Sequence, residues 1–522
     1  MTDEPSPAAE QSVPLIIGAV AITLLLASLG QTIVSTALPT IVGELGGLDH
    51  LTWVVTAYLL SSTVVAPIYG KLGDLFGRKI VLQVAIITFL IGSVGAGLAG
   101  DMTTLIVARV VQGLGGGGLL VVAMTVVADV IPPRQRGRIQ GVFGAVFGVS
   151  TILGPLLGGF LVEHASWHWI FFANVPVGLL AFAIISIAFR ARPERVSHRI
   201  DYLGAATLAG ALSAIVLYTS LGGTTFPWDA PAMIAMLIAA LVFLAAFVLV
   251  ESRAAEPILP LSLFRNNNFV VLNAVGFIVG IAMFGSITFL PLYLQVVQGV
   301  SPTTSGLSLL PMMLGLIGTS TLAGMVMSRT GRYRWLPLAS TALLFLAMAL
   351  LSTMNEQTGI GLVSLYMFMA GAGIGPVMSV GITAIQNAVN PRDLGVATAS
   401  ATMFRQIGGS IGVSVFGAIF TNRLAAQLGG DAAAGGIGSF AGPAVARLPE
   451  PLHTQMVHAF VVALSPVFVT AAAAAVVAFA LGWLLREVPL ALSLRAEPQA
   501  EIDAEEEAAA AVAGAPATAP RM

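Results

Sequence analysis

The chain reads as a series of long apolar runs separated by short polar breaks, most of them marked by glycine, proline or arginine. A helix needs about 20 apolar residues to cross a bilayer core. That length predicts spans over 14–41, 52–70, 80–99, 102–128, 139–161, 170–189, 202–221, 232–250, 269–294, 304–327, 335–354, 359–387, 396–421 and 458–485, fourteen in all. An even number places both termini on one side. The most charged break is Gly70-Lys71-Leu72-Gly73-Asp74-Leu75-Phe76-Gly77-Arg78-Lys79, with three cations and one carboxylate. It is too short and too charged for a bilayer interior, so it is read as a tight turn between antiparallel spans, which Gly70, Gly73 and Gly77 allow to close. Lys and Arg in short loops stay in the cytoplasm, so this turn sets the orientation. With fourteen spans, nineteen of the 23 basic residues then fall on the cytoplasmic side. Arg423 and Arg447 fall outside, and Arg109 and Arg405 lie within spans. A miscounted helix would invert every later loop and destroy this asymmetry.

Composition changes the picture in one direction only. With 57% hydrophobic and 9% charged residues, the chain lacks the roughly one-quarter charged residues of a soluble protein. It is an all-α polytopic membrane protein whose solvent is the lipid bilayer. A net charge of -2 gives no basic field for nucleic acid, and the absence of cysteine excludes disulfides, thiol catalysis and cysteine metal sites. Residues 1–13 carry no Lys or Arg and are read as a cytoplasmic tail rather than the start of a cleaved signal. Residues 488–522, acidic and rich in Ala and Pro, read as a disordered cytoplasmic tail, and 422–457 as a long outer loop. Gly113 to Gly118 lacks the Lys-Ser/Thr of a phosphate loop, so neither nucleotide nor other cofactor is expected. No deep His/Asp/Glu cluster marks an enzyme or a metal site.

An internal echo divides the chain. Gly324-Met325-Val326-Met327-Ser328-Arg329-Thr330-Gly331-Arg332 repeats the two glycines seven apart and the trailing Arg of Gly70 to Arg78, with Ser328 in the place of Asp74. If these turns correspond, six-helix halves over 14–189 and 269–487 flank two extra helices within 190–268. Parallel halves with a substrate site at mid-membrane are the plan of many secondary transporters.

These residues carry a resemblance. Gly70 to Lys79 is similar to the helix 2–3 motif of the major facilitator superfamily, and Arg109-Val110-Val111-Gln112-Gly113 to its helix-four motif. Gly148 to Leu161, with Gly154-Pro155-Leu156-Leu157-Gly158-Gly159, resembles the helix-five motif of its antiporters. With fourteen helices and Thr32-Ile33-Val34-Ser35-Thr36-Ala37-Leu38-Pro39 in helix one, the chain resembles the fourteen-helix drug:proton antiporter subfamily over about residues 14–487. The resemblance implies a multidrug efflux transporter of a bacterial inner membrane, monomeric, exchanging a small-molecule substrate for protons. It assigns Asp74, Arg78, Lys79 and Asp129 to a latch at the cytoplasmic mouth, and Arg109 and Gln112 to transport or coupling; Arg405 and Gln31, polar residues within apolar spans, are further candidates for that role. Arg109 and Arg405 are alternatively structural, tied to backbone carbonyls. In helix five, Gly141, Gly144, Gly148, Gly154 and Gly158 stand at small-xxx-small spacing, a seam for close helix packing, and Pro155 should bend the helix.

One position departs from the pattern. The subfamily carries an aspartate two residues before the threonine matching Thr32, and here that residue is Gly30. None of the 25 carboxylates falls deep in a proposed span. Proton-coupled antiport is therefore one reading. Uncoupled facilitation, export of anionic substrates, and a transport-dead sensor are the others. Phe284, Phe289, Tyr293, Tyr366 and Phe368 are available to apolar substrates, or to packing.

Overall fold

The computed structural model describes residues 13–45, 51–188, 201–222, 226–300, 302–428, 452–488 and 490. Among them no strand forms, apart from a single bridge between Gly222 and Phe226. The α-helices are α1 (Val13–Thr32), α2 (Val34–Leu45), α3 (Leu51–Phe76), α4 (Arg78–Gly97), α5 (Met102–Val130), α6 (Pro133–His164), α7 (Trp169–Phe172), α8 (Asn174–Ala188), α9 (Tyr202–Leu221) and α10 (Pro231–Glu251). There follow α11 (Asn267–Val296), α12 (Pro302–Leu307), α13 (Leu310–Thr330), α14 (Trp335–Leu351), α15 (Ile360–Ala388), α16 (Leu394–Leu428) and α17 (Leu452–Gly482). The N-terminal tail to residue 12, Arg190, Arg192, Arg195 and Arg199, the loop over 429–451 and the acidic tail lie outside the described residues.

Twelve segments are long and apolar enough to cross a bilayer, α7 and α8 counting as one. The expected fourteen needs two more: α14, which has only 17 residues, and α6, whose 32 residues include an uncharged, largely apolar stretch over 139–156. Both sit among spanning helices, α6 against α1 and α13, and α14 against α15 and α17.

Three boundaries correct the sequence reading. The charged stretch from Gly70 to Lys79 is not a loop: α3 runs to Phe76 and α4 begins at Arg78, so only Gly77 interrupts the helix. It does so at φ 86°, in the left-handed region where a Cβ is penalised. Gly331 closes α13 the same way at φ 70°, so the two echoing motifs end on the same backbone device. Helix one is split at Ile33 into α1 and α2, and the tenth span is split between α12 and α13.

The apolar residues form two main cores. One joins α1, α3, α4, α5, α6 and α8, and the other joins α11 to α17 with the inner sides of α9 and α10. We call these two groups of helices the halves. Of the inserted pair, α9 touches both α3 and α16, whereas the spanning window of α10 is only 17% buried. Lipid is as apolar as these side chains, so close packing and hydrogen bonds, rather than escape from water, hold the helices together.

Candidate functional site: the interface between the halves

At the basic end of the bundle the halves meet along two seams. In the first, α3 lies on α16, and a Cβ built on Gly70 would come 2.7 Å from the Gly395 carbonyl oxygen and 2.8 Å from Ala399 Cβ. Asp74, one turn further along α3, crosses to the other half. It accepts from the Gly395 amide at 3.0 Å (Oδ1) and 2.9 Å (Oδ2), and from the Val396 amide at 3.2 Å. Those amides belong to the first turn of α16, which starts at Leu394 and has no internal partners for them. A carboxylate there also meets the positive end of the helix dipole. Arg78 holds Asp74 from its own side at 3.1 Å and reaches Asp129 at 2.6 Å and the Thr125 carbonyl.

Asp74, Arg78 and Asp129, three of the residues expected at a latch, thus lie together, and two others do not join them. Lys79 points elsewhere and donates to the Ser186 carbonyl at 2.8 Å. A Cβ on Gly73 would meet only Arg78 Cγ at 3.7 Å, an ordinary contact, so Gly73 admits no close neighbour. Arg136, whose role the sequence did not reveal, is buried and donates to the Ala128 and Ile131 carbonyls at 2.6 and 2.9 Å, closing the end of α5.

In the second seam α6 lies on α13. Gly137 and Gly324 face each other backbone to backbone, Gly141 faces Thr321, Gly144 faces Ser320 and Gly148 faces Ile317. Gly154 packs inside its own half, against Thr32 of α1; Gly158 is buried, and Gly159 has nothing within 4 Å of its Cβ position. The close packing therefore runs at least from Gly137 to Gly154, and Gly159 lies beyond it. Pro155 lies within the unbroken helix α6; its side chain is outside the described residues.

Deeper in the first half, Arg109 is fully buried. Its Nε donates to the Val54 carbonyl at 3.0 Å, and its Nη1 to the Gly30 carbonyl at 2.9 Å and to Gln112 Oε1 at 2.6 Å. The Tyr58 ring lies beneath its guanidinium at 4.4 Å, a cation–π contact. Gln112 Nε2 continues the network to Ser93 at 2.6 Å. No carboxylate takes part. Where the subfamily pattern has an aspartate, the backbone of Gly30 supplies the acceptor, and a Cβ there would sit 2.8 Å from Phe89 Cζ.

Between the halves lies a cavity of about 40 Å³, lined among others by Gln31 of α1, Gln140, Phe143 and Phe147 of α6, Phe284 of α11, and Arg405 and Gln406 of α16. Arg405 has no hydrogen-bond or ion-pair partner among the described residues. It is held in place by the glycine-rich packing of α16 on α11: Gly280 abuts the Arg405 carbonyl, and Gly408 and Gly409 abut Phe277 and Phe284. Gln406 accepts from Thr63 at 3.1 Å, a further bond across the halves. Of the five aromatic residues singled out in the sequence, only Phe284 lines this cavity. Phe289 and Tyr293 are core residues, and Phe368 faces outward. Gln140 and Gln406 escaped a census of charges. Their signal is an uncharged polar residue inside an apolar span, costly there unless a partner or a cavity receives it.

Two halves, an echoed turn, and a polar cavity between them define a membrane carrier, and residues 20–413 match the Major Facilitator Superfamily. The chain belongs to that family. It is 45% identical over 479 residues to an uncharacterized MFS-type transporter of Mycobacterium tuberculosis, covering 91% of this chain and 70% of the relative. It is also 39% identical to multidrug transporter protein MdtP of Bacillus subtilis, covering 78% and 75%, and 37% identical to multidrug resistance protein 3 of the same organism, covering 82% and 83%. Among solved structures it resembles a bacterial homolog of the human lysosomal transporter Spinster in an inward-facing and occupied conformation. There the TM-score is 0.55, at 16% identity, over 91% of this chain and 97% of that one, a likeness of fold alone.

Proposed function

We propose that this chain is a secondary active transporter that exports small amphiphilic compounds across a bacterial inner membrane by alternating access. It acts as a monomer of fourteen spans with both termini in the cytoplasm. The observation that carries the reading is the cavity between the halves, shut at the basic end by Asp74 seated on the first turn of α16. The multidrug transporters among its relatives support the substrate class. Opening that end requires the Asp74 bonds to break and the glycine seams to part, while the cavity stays between the same helices.

Proton coupling is the finer part of the proposal. The cavity lining includes no carboxylate, so coupling falls to Asp74 and Asp129 at the basic end. The Gly30–Arg109 bond favours a second reading, an uncoupled facilitator or an exchanger, because a backbone carbonyl cannot take up a proton. Purified protein in liposomes, given an imposed pH gradient and an interior pH dye, decides between them. Coupled export predicts substrate movement against its gradient with matching proton flux, abolished in Asp74→Asn or Asp129→Asn. Coupled flux that appears only in Gly30→Asp would make the native chain a facilitator, and binding without flux would make it a sensor.

A further inference from the structure

We propose that the cavity between the halves takes a monoanionic amphiphile, its carboxylate or sulfonate on the Arg405 guanidinium and the Gln31 and Gln140 amides, its apolar body against Phe143 and Phe284. The proposal rests on the transporter reading and narrows its substrate class. Among the described residues, Arg405 is the only charged one in the cavity lining, and no carboxylate lines it. The groups around it are mostly hydrogen-bond donors or can act as such: Gln31, Gln140 and Gln406, with Ser28 and Thr402. Gln140 is 3% exposed, and its Nε2 is buried with no acceptor. An amide N–H and a guanidinium, both lacking acceptors and opening on one cavity, call for an anion.

The surroundings add to the positive potential. Arg109, bonded to the Gly30 carbonyl beside Gln31 in sequence, is also uncompensated by any carboxylate among the described residues. The carboxylates Asp74 and Asp129 are taken up by Arg78 at the basic end. A lipophilic cation would meet like charge here and find no counter-charge. At about 40 Å³ the cavity is contracted in this conformation and must widen as the halves part. Its walls suit that, since Met124, Met283 and Met378 are unbranched and repack readily.

The test uses three probes on the full chain in liposomes. They are anilinonaphthalene sulfonate, its sulfonate-free analogue N-phenylnaphthylamine, and the cation tetraphenylphosphonium. The native protein should move the sulfonate in preference to the other two. Arg405→Gln should reduce the preference for the sulfonate over its analogue by about tenfold to a hundredfold, the size of a lost charge-assisted bond, while Arg405→Lys keeps most of it. Should Arg405→Gln fail to fold, Gln140→Leu carries the test with a loss of severalfold. Better handling of the cation or of the uncharged analogue by the native protein overturns the anion site and leaves transport standing. So does a preference unchanged in both Arg405→Gln and Gln140→Leu. If none of the three probes is moved, the transport reading itself falls, and the anion site with it.

Discussion

The two seams between the halves occupy equivalent places in an internal repeat, yet they are built differently. Gly70 of α3 meets Gly395 of α16, and its echo Gly324 of α13 meets Gly137 of α6. Among the described contacts, it is the first that carries a charge across, that of Asp74. The reason lies in where the opposing helices begin. α16 starts one residue before Gly395, so the Gly395 amide is free to receive Asp74. α6 starts four residues before Gly137, whose amide can already bond within the helix. One seam thus carries directional bonds and the other is a close packing of glycines. If the halves open and close as proposed, the first seam would supply a directional bond and the second a path for the helices to slide.

The contrast can be broken or sharpened by substitution. Because the natural chain has no cysteine, Ala399→Cys beside Gly70 gives a single labelling site, and its reaction rate with an impermeant maleimide from the basic side reports opening. The largest effect is expected for Gly395→Val, whose branched side chain would press on the backbone of Gly70. Labelling should become essentially complete and transport should be lost. Asp74→Asn comes next: losing charge-assisted bonds worth about 1.5–3 kcal/mol should shift the closed–open equilibrium by one to two decades. Gly144→Ala in the glycine seam should be milder, a change of severalfold or less in labelling and flux, because its Cβ would meet the movable Ser320 Oγ at 2.9 Å. Gly159→Ala, with open space at its Cβ position, should change neither. A large effect from Gly159→Ala would mean that the helix-five seam extends further than the packing shows.

Much of this was legible from the sequence, and the exceptions have physical causes. Apolar length marked where long helices form, and the two echoing motifs end alike, since Gly77 and Gly331 share one backbone conformation. The charged motif misled as to its form: Lys71 and Asp74 looked like loop residues, but a helix can carry them past the apolar region and end on one glycine. Arg109 is tied to backbone carbonyls, as one of its two readings had it, whereas Arg405 is not. Sequence offers little to tell them apart, because both are arginines near glycines in apolar runs. What separates them is which carbonyls other helices bring within reach. The same holds for Lys79, assigned to the latch by position and carried to Ser186 by the packing of α4 on α8.

Arg405 also makes this carrier an electrical object. With a monoanion bound the cavity is neutral, and the loaded halves can rearrange without moving net charge. Empty, the cavity keeps one positive charge inside the membrane field, where a whole elementary charge is worth about 2.3 kcal/mol per 100 mV. Membrane voltage would then govern the return of the empty carrier and leave the loaded step almost untouched.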